Sequence, residues 1–339
     1  MSDQGRYEGP PPRVVEGWVS LRDVLADAQR RLAAAGVPSP QADATALAAH
    51  VLGVPRTRLI LQDRIPPETR TEYERLLSRR MARVPLQHLV GTAGFRRLEL
   101  AVGPGVFIPR PETELVAGAA INALLALPEQ DRIAVDLCAG SGAIALSMAT
   151  EASGTRVSAV EMDPRAAEWM RKNVRRLDAH MRDAGSSVRV VESDAATCAQ
   201  DGGPLSSLRG AVAVVAINPP YIPEDAEPRD PEVRDHDPRA ALYGGPDGLS
   251  VVRRVLPAAA ALLRPGGLLV VEHADTQGEA AGEAGVPALV RESPDWRGVE
   301  DHLDLARRPR FVTATRVAVG SAEPPRLPTW TAGSAEAAG

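Results

Sequence analysis

RIAVDLCAGSGAIALSMAT, residues 132–150, sets the fold. RIAVDL is short and apolar, the composition of a buried strand. SGAIALSMAT reads as the helix that follows, and Gly140-Ser141-Gly142 lies at the join. Glycines let a ligand approach the backbone closely, and a helix N-terminus favours anions. Strand, glycine turn and helix in that order open a nucleotide-binding α/β sheet.

Working outward, RVSAVEM (156–162) reads as the next strand. Glu161 near its end lies 19 positions beyond Gly142. A carboxylate there can accept hydrogen bonds from both ribose hydroxyls of a nucleoside. With Ala145 the loop also meets the G-x-G-x-x-A form used by nicotinamide enzymes. The pattern therefore specifies a nucleoside-containing cofactor without saying which. Asp194 and Ala195 close the third strand, SVRVVESD, where an adenine ring would lie. A plain helix cap or turn is the other reading of Asp194.

The alternation continues. Asp163-Pro164 caps a helix carrying Trp169 and Met170. AVAVVAI (211–217) is a strand, and DGLSVVRRVLPAAAALL a helix stopped by Pro265-Gly266-Gly267. LLVVEHA and FVTATRVAV are late strands. Such alternation means a parallel sheet covered by helices on both faces, with ligands outside the carboxyl ends of its strands. Upstream, helices are expected over 21–36, from Ser39-Pro40 to about Gly53, and over 67–84. FRRLELAV (95–102) alternates like a single strand. A helix opens at Pro111, with Glu112 and Glu114 in its first turn, where the helix dipole favours acids.

The strand AVAVVAI ends in Asn218-Pro219-Pro220-Tyr221. Residues before proline are pushed to extended geometry, and neither proline has an N–H. The strand must stop there, leaving rigid carbonyls as acceptors. Asn218 adds a side-chain oxygen and Tyr221 a flat face. Together they can hold a planar –NH2: one N–H to the Asn218 oxygen, one to the Pro219 carbonyl, the plane stacked on Tyr221. Fixed orientation alone can supply ~7–11 kcal/mol of a barrier. The proton can leave after methyl transfer, so no strong base is needed first. An adenine amine and a glutamine amide fit this argument equally.

Composition narrows the classes. Net charge is −5, which disfavours a nucleic-acid backbone as main partner. Aromatics are only 3% of the chain, so Ala, Val and Leu must build the core. Two cysteines, Cys138 and Cys198, and six histidines make no ligand spacing, so no metal is assigned. No apolar run approaches the ~20 residues of a membrane span, and no signal-peptide pattern opens the chain, pointing to a cytoplasmic protein.

PLQHLVG (85–91), FIPRPETELV (107–116), DLCAGSGAIAL (136–146), AINPPYIP (216–223), DPRAALYGGPDGL (237–249) and LRPGGLLVVEHADTQGE (263–279) together resemble the HemK/PrmC family of protein glutamine N5-methyltransferases. IPRPETE separates that family from adenine N6-methyltransferases of nucleic acid, the alternative reading, which share only Asn-Pro-Pro-Tyr. The resemblance implies a Rossmann-like, seven-stranded class I methyltransferase with a small N-terminal helical domain, using S-adenosyl-L-methionine. The polar, Pro/Gly-rich residues 1–17 read as a flexible tail, and the resemblance implies a helical substrate-docking domain over 18–90. Linker strands and a helix over 91–130, the methyltransferase domain over 131–319 and a second tail over 320–339 follow. By position, Asn218, Pro219, Pro220 and Tyr221 would form the catalytic turn. Cys138, Ala139, Gly140, Ser141, Gly142, Glu161, Asp194, Ala195 and Asn218 would line the cofactor, and Phe107, Arg110 and Thr113 would wall the methyl-transfer site. The family's substrates imply a protein partner: a release factor methylated at a Gly-Gly-Gln glutamine, or a ribosomal protein. The chain departs from the pattern at Cys138-Ala139, where Gly-Thr is usual, at Glu161 for Asp, at His88 for Tyr and at Ala274 for Gly.

Overall fold

The computed structural model describes residues 17–318; the expected tails lie outside them, Gly17 excepted. The chain forms two compact units. Of the described residues, the first comprises 17–94, 99–108 and 226–239; the second holds 95–98, 109–225 and 240–318.

In the first unit, strand β1 (Val19–Ser20) pairs with β2 (Arg64–Ile65) beside helices α1 (Leu21–Ala34), α2 (Pro40–Leu52), α3 (Pro67–Met81) and α4 (Leu86–Val90). Ser20 caps α1 by accepting from Asp23 N. Ser39 precedes the expected Pro40 but makes no side-chain cap bond. Leu21, Leu32, Leu47, Tyr73, Leu76 and Leu77 form the core between these helices. Arg80 of α3 is buried too, and donates to Asp43 of α2 and to Glu232, both at 2.7 Å. Arg83 reaches both carboxylate oxygens of the same Glu232. Glu232 belongs to α8 (Pro231–His236). Two arginines thus hold the excursion 226–239 within this unit.

Strands β3 (Thr92–Phe95) and β4 (Leu98–Ala101) pair as a hairpin. The stretch expected as one strand is bent at Arg96, whose φ is +52°. Alternation continued through the bend and hid it. Arg96 forks onto Glu151 with two 2.8 Å bonds, and its backbone N–H donates to Glu114. Glu114 therefore serves the bend as well as the first turn of its helix.

The second unit is built on a seven-stranded sheet of β5 (Ile133–Leu137), β6 (Arg156–Glu161), β7 (Ser187–Glu192), β8 (Val212–Ile217), β9 (Leu263–Glu272), β10 (Trp296–Leu303) and β11 (Pro309–Arg316). Its order is β10-β11-β9-β8-β5-β6-β7. Strands β5 to β9 are parallel, whereas β11 runs antiparallel to β9 and β10 antiparallel to β11. The sheet is thus mixed at one edge rather than all parallel. Helices α5 (Thr113–Leu125), α6 (Ala143–Glu151), α7 (Pro164–Asp183), α9 (Arg239–Leu242), α10 (Ser250–Leu262) and α11 (Val286–Arg291) complete the chain. The Pro265-Gly266-Gly267 stop falls inside β9, where the register with β8 shifts from Val212 opposite Leu263 to Val214 opposite Leu268. Every residue of β8 is buried, which its unbroken apolar sequence requires. Val, Ala and Leu dominate the surrounding core.

Candidate active site

The glycine loop leaves β5 through residues that strain the backbone. Cys138 has φ +64°, and Gly140 and Gly142 have +56° and +84°. Left-handed geometry costs a non-glycine residue ~1–2 kcal/mol, which explains why glycine is usual where Cys138 stands. A Cβ on Gly142 would lie 2.9 Å from Met170 Cγ, so that position admits only glycine. A Cβ on Gly140 would meet nothing within 4 Å: its open side is where a ligand can approach. Buried Asn173 of α7 donates to the Ser141 carbonyl at 3.0 Å and holds the loop from behind. Asp136, wholly buried, accepts from Ala145 N at 2.9 Å and so caps α6 from the preceding strand. Burial pushes its carboxyl up to about 8. Asn173 carries no signal in the sequence, because it acts through its place in the fold.

Glu161 ends β6 beside this loop. Its Oε2 accepts from Gly140 N and its Oε1 from Asp163 N, both at 2.8 Å. Burial raises its pKa against these backbone donors. Each oxygen keeps a second lone pair, the number two ribose hydroxyls need. Asp194 accepts from Ala196 N at 2.9 Å and pairs with Arg254 at 2.5 Å, so turn-capping occupies much of its capacity. Ala195 is buried beside it, and Ala139 lines the loop interior. Cys138 is a free, half-buried thiol whose pKa burial pushes up, which disfavours the thiolate. The residues present fit a nucleoside cofactor: an open glycine approach, a carboxylate with spare lone pairs and small buried neighbours.

Asn218 follows β8 at the carboxyl end of the sheet. Its Nδ2 donates to Thr113 Oγ1 at 3.2 Å, which turns Oδ1 away from Thr113 as an acceptor. Thr113 opens α5 and is buried. Among the described residues nothing donates to the Pro219 carbonyl. The Tyr221 carbonyl, by contrast, accepts from Gln277 Nε2 at 3.0 Å. Burial, first, and the nearby Glu272 charge raise the pKa of the Tyr221 phenol, so it stays protonated. Ile222 and Tyr243 form a parallel bridge, and Gly244 N donates to the Ile222 carbonyl at 2.9 Å. A Cβ on Gly244 would lie 2.4 Å from the Pro220 carbonyl, and one on Gly248 2.2 Å from that of Tyr221. Gly-Gly-Pro-Asp-Gly (244–248) therefore packs directly under the proline turn.

Glu272 ends β9 next to the turn and is 1% exposed. Burial pushes its pKa up to about 7, while the Thr113 and Tyr221 hydroxyls and the Arg310 charge work against that rise. Arg110 is half-buried beside α5, and Phe107 is half-buried within the first unit. His273 is fully buried with both ring nitrogens engaged, by the Ala274 carbonyl at 2.8 Å and Asp301 at 3.1 Å; it is structural. No helix among the described residues is long and apolar enough to cross a membrane.

Sheet order, glycine loop and ribose-type carboxylate define a class I S-adenosylmethionine-dependent methyltransferase. The PrmC N-terminal domain model matches residues 23–91, and the model named Conserved hypothetical protein 95 matches residues 88–234. A release factor glutamine methyltransferase of Streptomyces coelicolor is 47% identical over 293 residues, covering 86% of this chain and 96% of the relative. That of Mycolicibacterium smegmatis is 48% identical over 298 residues, covering 88% and 98%. A solved SAM-dependent O-methyltransferase of Thermotoga maritima aligns at 14% identity over 64% of this chain and 68% of that one, with a TM-score of 0.41. The chain belongs to the release factor glutamine methyltransferase family. The adenine-methyltransferase alternative is not favoured.

Proposed function

We propose that this protein methylates the side-chain amide nitrogen of a glutamine in a peptide-chain release factor, at its Gly-Gly-Gln segment. The observation that carries this reading is the pair of unclaimed acceptors at the proline turn: Asn218 Oδ1, freed by the bond to Thr113, and the Pro219 carbonyl. An amide –NH2 has two hydrogens to give, and this turn offers two acceptors. The relatives' printed substrate supports the choice of partner, and the net charge of −5 supports a protein over a nucleic acid. A cytoplasmic enzyme fits this role.

Bound S-adenosylmethionine supplies an electrophilic sulfonium methyl. Glu161 accepts the ribose hydroxyls, and Cys138, Ala139, Gly140, Ser141 and Gly142 cradle the nucleoside side, with Asp194 and Ala195 at the base. Asn218 and Pro219 draw on the two amide hydrogens, raising electron density at nitrogen and aiming its lone pair. Pro220 locks the turn, and the Tyr221 ring stacks on the amide plane. Arg110 and Thr113 wall the site. The new N–C bond would form as the sulfonium S–CH3 bond breaks, leaving a neutral thioether, and the cationic nitrogen would then release its proton to solvent.

The test is incubation with methyl-labelled S-adenosylmethionine and purified release factors or ribosomal proteins, read by mass spectrometry. Label is expected on the Gly-Gly-Gln glutamine of a release factor, falling about 100-fold in Asn218→Ala, the scale of losing one oriented polar group. Label on no glutamine, or label indifferent to Asn218→Ala, would overturn the reading. Label on a ribosomal protein alone would reassign the substrate.

A further inference from the structure

Glu272 lies outside the proline turn and the glycine loop, yet two side chains of the site converge on it. Val271 of β9 pairs with Ile217 of β8, so Glu272 stands level with Asn218 on the neighbouring strand. Its other neighbour is β11, where it pairs with Phe311. The carboxyl group is 1% exposed. Thr113 and Tyr221 are the hydroxyl groups whose influence it feels, and Arg310 and Glu112 are the charged ones. Its Oε2 has no hydrogen-bond partner among the described residues. A buried carboxyl with an orphaned oxygen is costly and needs a reason beyond packing.

We propose that Glu272 is the positioning residue of the methyl-transfer site, fixing the amide orientation of Asn218 through Thr113 and the ring of Tyr221 directly. The argument is one of proton counting. A threonine hydroxyl has one proton. When Glu272 is ionised and the hydroxyl donates to it, only the hydroxyl's lone pairs face Asn218, so it must accept from Nδ2. The Asn218 amide then has one orientation, with Oδ1 toward the substrate. Without the carboxylate, the Thr113 hydroxyl is free to donate to Oδ1 instead. The amide would turn over and present Nδ2, a donor, to a substrate –NH2 that also donates. Glu272 anchors the phenol of Tyr221 from the same carboxyl, so one side chain sets both jaws of the grip. The inference rests on the proposed amide-binding role of Asn218.

Its test combines steady-state kinetics, calorimetric S-adenosylmethionine affinity and a double-mutant comparison, using the full chain and a release factor. Glu272→Gln keeps the shape but replaces one accepting oxygen with a donor NH2, so the Thr113 hydroxyl is no longer obliged to donate to it, and Thr113→Val keeps the shape but removes the relay. Each is expected to lower kcat at least 10-fold with cofactor affinity within 3-fold of wild type. The double variant should be no slower than the slower single variant, because both act on the same amide. Thr113→Ser should restore kcat to within 3-fold. A Glu272→Gln enzyme with kcat within 2-fold of wild type would overturn the proposal, as would losses that multiply in the double variant or fail to recover in Thr113→Ser. Loss of cofactor binding in Glu272→Gln would also overturn it, by showing a general structural role. Asn218→Ala separates the two layers. If that variant stays active, the amide-binding reading itself fails. If it is inactive while Glu272→Gln is unimpaired, only the positioning role fails.

Discussion

Replacing Glu232 by Gln tests how the excursion 226–239 is held. Burial alone would raise this carboxyl, but hydrogen bonds from Arg83 and Arg80 overcome it and pull the pKa from 4.5 down to about 2. At about 1.4 kcal/mol per pH unit, that difference corresponds to an upper bound of about 3 kcal/mol. The side chain remains 17% exposed, and water screening reduces the figure to about 1–2 kcal/mol. Because the folded pKa is depressed, the stabilisation is complete above the ordinary value of 4.5. It fades as pH falls from there toward 2. Native-state hydrogen exchange of the α8 amides reads the local opening directly. Glu232→Gln should speed their exchange about 10-fold near neutral pH, and trypsin should cut sooner at the exposed Arg229 and Arg234. The gap between variant and wild type should be constant down to about pH 5 and narrow below pH 4.5. Unchanged exchange near neutrality, or a gap as wide at pH 3 as at pH 7, would refute the ion-pair reasoning.

Glu161→Gln loses one of two acceptors for backbone N–H groups and half of the proposed diol grip; calorimetry should show S-adenosylmethionine affinity falling at least 10-fold. Gly248→Ala sets a Cβ 2.2 Å from the Tyr221 carbonyl at a φ of +75°; a lowered melting temperature and a large loss of methyl transfer are expected. At Cys138 the left-handed backbone should tolerate Gly but disfavour Val by about 1–2 kcal/mol relative to Ala, measured by chemical denaturation. The native Cys138 thiol should resist alkylation at pH 8, since burial holds it protonated.

Local chemistry made the parallel half of the sheet legible. The strand 212–217 announces itself by an unbroken apolar run and the strands 133–137 and 156–161 by short, mainly apolar ones, and glycine or proline marks where they end. Strand β10 escaped notice because WRGVEDHL mixes charges into an edge position, with Gly298 at a register break. Its half-exposed residues have no need of an apolar run. In the candidate site, Asn218, Tyr221 and Glu161 were visible because their neighbours in sequence restrict the backbone. Thr113 was visible only through family resemblance, and its bond to Asn218 joins residues 105 positions apart. Glu272 was hidden for a related reason. Its importance comes from strand register and from the absence of water, and neither leaves a mark in the local sequence.

The bridge between Ile222 and Tyr243 makes the intervening chain a closed loop whose base is pinned within the second unit. Closure entropy rises only slowly with loop length. Lengthening or rewriting residues 226–239 therefore leaves Asn218 undisturbed so long as that clasp survives. Sequence change in that excursion can thus accumulate without reopening the chemistry of the amide grip.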